Sequence, residues 1–229
     1  MKNITKEEKI LYLILFSMSA IYNIFTLNKG PIELYNLIFN EVVLIFIYTP
    51  IFLYNLLKIV KSIYLAEIII RYESIDKLII AQIKILFFIC LRLSIFCIII
   101  SNLFLILRDI NMIFYKEIWI INALSVGTQF IGWFFIGLLY LFLAQLLKSE
   151  ILAYIIEICI LESIQIMLSP LLFGFLSKFI YPIWNIMYFY DFDINIMNKA
   201  IYISLTIIIN ILIIYLYKYL LKSKDIGRI

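Results

Sequence analysis

A chain of 229 residues with 66% of them hydrophobic and 15% charged carries more apolar side chain than a soluble domain of this size can enclose, so its natural solvent is a lipid bilayer. The formal charge of +4 comes from 19 basic residues scattered between apolar runs, which leaves no basic stripe for tracking nucleic-acid phosphates. The absence of histidine excludes His-based metal sites and hydrolase triads, and neither GxxxxGK[ST] nor GxGxxG occurs to hold a nucleotide.

In chain order, Thr5-Lys6-Glu7-Glu8 fits a capping box and starts a helix ahead of the first apolar run, at about residues 10–27. That run is long for a signal peptide and has no small-residue cleavage pattern after it, so it is expected to be retained, with the mature chain beginning at Met1. A second span is expected at about residues 37–57. The stretch from Lys58 to Lys84 mixes charges with apolar residues. Within it, Ala66 to Tyr72 is amphipathic enough for a helix lying at the membrane face, and Ser74 with Asp76 suits the start of the next helix.

The third, fourth and fifth spans are expected at about residues 85–107, 123–147 and 151–175. Between about residues 176 and 199, Pro182, Trp184 and Met187-Tyr188-Phe189-Tyr190 are too apolar for a free loop, while Asp191 and Asp193 interrupt a clean span. A re-entrant or interfacial segment reconciles the two. The sixth span is expected at about residues 201–219, followed by a short basic tail. The expected fold is therefore an all-α integral membrane domain of six transmembrane helices.

Orientation follows from the basic residues. With both termini cytoplasmic, Lys2, Lys6, Lys9, Lys58, Lys61, Arg71, Lys77, Lys84, Lys148, Lys218, Lys222, Lys224 and Arg228 lie inside. Only Lys29, Arg108, Lys116, Lys178 and Lys199 lie outside, as the positive-inside rule favours. Cys90, Cys97 and Cys159 sit in apolar runs with no CxxC spacing, so neither a disulfide framework nor a metal site is expected.

Arg92, Glu157 and Glu162 are ionisable residues inside expected spans, where charge is costly and usually paired or water-facing. Counting from Ile85 and Ile151, Arg92 and Glu157 fall at similar depths, so they are candidates for an ion pair between neighbouring helices. A polar path for protons or cations through Glu157 and Glu162 is the alternative, although the two are turned about 140° apart on an ideal helix. No catalytic constellation is present.

The layout resembles the permease subunit of type-two exporter-class ATP-binding-cassette transporters. The local text carrying the resemblance is Ile70-Arg71-Tyr72-Glu73-Ser74-Ile75-Asp76-Lys77-Leu78 before span three, together with the tail Leu221-Lys222-Ser223-Lys224-Asp225-Ile226. The chain departs from that family in lacking a strongly polar outer loop and in being unusually apolar. The resemblance implies a separate ATPase subunit, holding ATP and Mg, docked on Glu67, Arg71, Tyr72, Glu73, Ser74, Asp76 and Lys77. It also implies a second permease subunit, identical or related, in a bacterial cell membrane, and a hydrophobic substrate, foremost an antimicrobial peptide in export or immunity. The crowding of Ile, Asn and Lys, a bias of AT-rich genomes, fits a bacterium. Two other classes stay open: a membrane-embedded substrate-capture subunit of another transporter, and an integral-membrane enzyme, which the missing histidine disfavours.

Overall fold

The computed structural model describes residues 6–25, 47–63, 75–108, 116–167 and 196–226. Within them the regular elements are all helical: α1 (Lys6–Phe25), α2 (Thr49–Ile63), α3 (Ile75–Arg108), α4 (Lys116–Leu147), α5 (Glu150–Met167) and α6 (Ile196–Ile226). Three are long and apolar enough to cross a bilayer, over Asp76–Ile100 of α3, Asn122–Leu147 of α4 and Ile203–Leu221 of α6. The amphipathic segment expected at 66–72, and all but the last residues of the outer segment expected at 176–199, lie outside the described residues. From Ile196 onward that outer segment belongs to α6.

The helices overrun the apolar runs that announce them. α3 begins at Ile75 rather than near residue 85, because residues 75–84 keep a helical stripe: Leu78, Ile79 and Gln82 are buried while Lys77, Ile80 and Lys84 face outward. α4 begins at Lys116 instead of near residue 123, and α6 extends beyond its expected span at both ends. α2 continues to Ile63 and carries Pro50 near its start, just after a π-helical pair at residues 47–48. An apolar run measures the hydrocarbon thickness, whereas backbone hydrogen bonding favours continuing the helix through the interface.

α4 is the central helix and packs against α3, α6, α5 and α2. It runs antiparallel to α3, since Asn122 Nδ2 donates to Asn102 Oδ1 (3.0 Å) near one end, and Phe87 meets Phe130 (ring centroids 5.0 Å) and Phe134 further along. α2 lies parallel to α4, with Phe52 against Trp133 (5.0 Å) and Leu56 against Gly137. α1 docks on α3 through Tyr12 and Phe96, their centroids 4.1 Å apart. α6 presents the stripe Thr206, Asn210, Ile213, Tyr217 and Leu221 to the bundle and leaves Ile208, Ile211, Leu212 and Tyr215 exposed, as expected of a helix with one face to lipid.

Two residues join α4 to α5. Lys148 takes the left-handed conformation (φ 55°) that ends a helix, and Ser149 caps the next one: its Oγ accepts the Leu152 N–H at 3.3 Å and its carbonyl accepts the Ala153 N–H at 3.0 Å. This hairpin, the first turn of α3 and the C-terminal part of α6 share one end of the bundle. Asp76, Lys77, Lys148, Glu150 and Lys218 collect there.

At that end α3 is tied to α6 by the Tyr217 hydroxyl donating to Gln82 Oε1, both buried, and by a Lys218–Asp76 ion pair at 3.1 Å. The ion pair is half exposed, which limits it to at most about 1 kcal/mol and makes it sensitive to salt. The buried hydrogen bond is the stronger tie, because inside the bundle no water replaces it. Tyr217→Phe should therefore cost about 0.5–1.5 kcal/mol at any ionic strength. Asp76→Asn should cost less, and its effect should vanish in high salt. Unfolding in mild detergent at two salt concentrations checks both.

Candidate polar site inside the bundle

Several buried polar side chains are satisfied within their own helix. Ser19 Oγ donates to the Leu15 carbonyl (2.8 Å), Ser94 Oγ to Cys90 (2.8 Å) and Thr128 Oγ1 to Ser125 (3.2 Å), while Trp133 Nε1 donates to Gln129 Oε1 (3.0 Å). Such bonds let hydroxyls and amides sit in an apolar bundle without a partner helix. Glu157 is different. It is fully buried on the α5 face that also carries Ala153, and neither carboxyl oxygen has a hydrogen-bond partner among the described residues. A bare carboxylate there costs several kcal/mol, and removing its charge is the least costly escape.

The expected Arg92–Glu157 pair is not formed. Arg92 Nε donates to the Phe88 carbonyl of its own helix at 3.4 Å, on an outward stripe with Phe88, Ile95 and Ile99. The reason is depth. Leu86 lies beside Gly137, which places Arg92 alongside about residue 131 of α4. Glu157, eight residues beyond the Ser149 cap of a tight hairpin, lies alongside about residue 140. The two are therefore about 13 Å apart along the bundle axis. α3 starts at Ile75, ten residues before the expected Ile85, and that early start accounts for the offset.

Of the expected docking residues, Asp76 and Lys77 stand in the first turn of α3, while Glu67, Arg71, Tyr72, Glu73 and Ser74 lie outside the described residues. Glu162 follows Glu157 on α5, and its side chain lies outside what is described. Cys90 and Cys97 are buried on one face of α3, and Cys159 is exposed. Among the described residues no three His, Cys, Asp or Glu side chains gather as a metal site would require.

A search for charges overlooks the amides and tyrosines. Gln82 with Tyr217, Asn102 with Asn122, and Gln129 with Trp133 form the polar contacts within and between helices. The available signal was uncharged polar residues at helical spacing within apolar runs, where side-chain hydrogen bonds hold helices together.

No family model, no curated protein and no solved structure matches this chain. Among the described residues the structure is helical, with three helices long and apolar enough to cross a membrane.

Proposed function

We propose that this chain is the membrane-spanning permease subunit of an ATP-binding-cassette exporter in a bacterial cell membrane. It has six spans, both termini in the cytoplasm and a re-entrant outer segment between spans five and six. A separate ATPase supplies the energy, a second permease subunit completes the path, and the substrate is hydrophobic or amphipathic, foremost an antimicrobial peptide.

One mechanical feature supports this reading. The segment Glu67 to Lys77 ends in the first turn of α3, a 34-residue helix that contacts α1, α2, α4 and α6. A partner gripping that segment would move the start of a rigid rod through the bundle, which is what coupling ATP hydrolysis to transport requires. The charged end formed by Asp76, Lys77, Lys148, Glu150 and Lys218 offers the polar surface such a partner needs.

Charge reversal tests the assignment. Arg71→Glu or Glu73→Lys should weaken association with the cognate ATPase about tenfold, which is about 1.4 kcal/mol, and should reduce transport while the permease still inserts. Co-purification of the ATPase, read beside the amount of inserted permease, checks it. Unchanged association in both variants would remove this segment as the docking site.

A further inference from the structure

Among the described residues, Glu157 is the one buried acid, and neither the packing of the bundle nor the exporter reading has a use for it. α5 packs against α4 and α2 and turns Ala153 and Glu157 toward them, with Ile151, Leu152, Ile155 and Cys159 on its exposed side. The titratable groups with described side chains on or next to those two helices are tyrosines: Tyr140 of α4 and Tyr48, immediately before α2, are buried, and Tyr54 of α2 is exposed. Lys148 stands exposed at the turn, and Lys58 and Lys61 of α2 have side chains outside the described residues. On α5 itself, Glu150 begins the helix and Tyr154 lies partly buried one turn before Glu157. Of the groups whose side chains are described, none hydrogen-bonds to either carboxyl oxygen of Glu157.

A carboxylate enclosed in this way has neither a cation nor a donor among the described side chains to stabilise it, whereas the neutral acid carries no charge into the bundle. We propose that Glu157 is a proton-binding site: it holds a proton while α5 is packed on α4 and α2, and releases it when that packing opens. On release the O–H bond breaks, its electron pair stays on the carboxylate oxygen, and the proton passes to water admitted by the opening. Packing and protonation are then linked, since each state of the carboxyl favours one arrangement of the helices. The proposal rests on a helical bundle with α5 inside it and does not require an ATPase partner.

The test uses the full chain alone, purified into lipid nanodiscs, so its outcome is separable from that of the exporter reading. Infrared spectra at neutral pH distinguish a neutral carboxylic acid, by its own carbonyl stretch, from carboxylates. The native chain should show that band and Glu157→Gln should lose it. The band should also disappear when the bundle is unfolded at the same pH. Should Glu157→Gln fail to fold, Glu157→Asp retains the acid and should shift the band rather than abolish it. Absence of the band from the folded native chain, or a band unchanged by substitution at 157, would overturn the proposal. Association with an ATPase could then still be found, because it is read in a different experiment.

Discussion

Trp133→Ala should destabilise the bundle by about 3 kcal/mol, the low end of what removing a buried tryptophan costs in a water-soluble core. The side chain is fully buried at the centre of α4, with its ring against Phe52 and its Nε1–H donated to Gln129. Lipid is as apolar as the bundle interior, so the transfer term that enlarges this cost in water is small here. What remains is the loss of dispersion contacts around a large void and the loss of the contact between α2 and α4. Trp133→Phe keeps most of the volume and should cost only about 1 kcal/mol for the hydrogen bond to Gln129. Denaturant titration in mild detergent measures both, and equal stability of Trp133→Ala and the parent would show that α2 does not pack on α4 as described. Only three tryptophans are present, so loss of a blue-shifted emission shielded from aqueous quenchers would report the same site independently.

The helices themselves were legible in the sequence because apolar runs long enough for a bilayer have few other solutions. The hairpin between α4 and α5 was legible for the same reason: the apolar text is interrupted only around Lys148, Ser149 and Glu150. Helix ends were not legible, since hydropathy cannot distinguish the start of the hydrocarbon from the start of backbone hydrogen bonding. The distance from Ile75 to the expected start near residue 85 moved Arg92 from the level of Glu157 to beyond the middle of Asp76–Ile100. An inference about pairing between two helices inherits the boundary errors of both.

Side-chain hydrogen bonds that join helices, Gln82 with Tyr217 and Asn102 with Asn122 among them, depend on which faces meet. That is a property of three-dimensional packing which one-dimensional periodicity constrains only weakly. Glu157 was visible in the sequence as an acid in an apolar run. Its lack of a partner became visible only with the neighbouring helices in place.

Gly137→Leu should be as damaging as Trp133→Ala, by the opposite mechanism. Gly137 of α4 faces both α2 and α3: a Cβ built there would overlap Leu86 Cδ1 and stand 3.2 Å from Leu86 Cδ2 and 3.3 Å from Leu56 Cδ1. Leu86 and Leu56 are themselves buried, so neither has free space to swing into. Even Gly137→Ala sets an overpacking cost of about 1–3 kcal/mol against a gain in helix propensity of about 1 kcal/mol, and should be neutral to mildly destabilising. Leucine adds three further carbons and has to push α3 or α2 away, at about 3 kcal/mol or more. The clash has an identifiable partner, which makes it testable by compensation. Leu86→Ala alone should cost about 2–5 kcal/mol through the cavity it opens. In the double variant the new leucine should occupy that cavity, leaving the pair more stable than the two single losses add up to, by about 1–3 kcal/mol. Strict additivity would show that α3 and α4 do not meet at this glycine, and with it would go the register that sets Arg92 apart from Glu157.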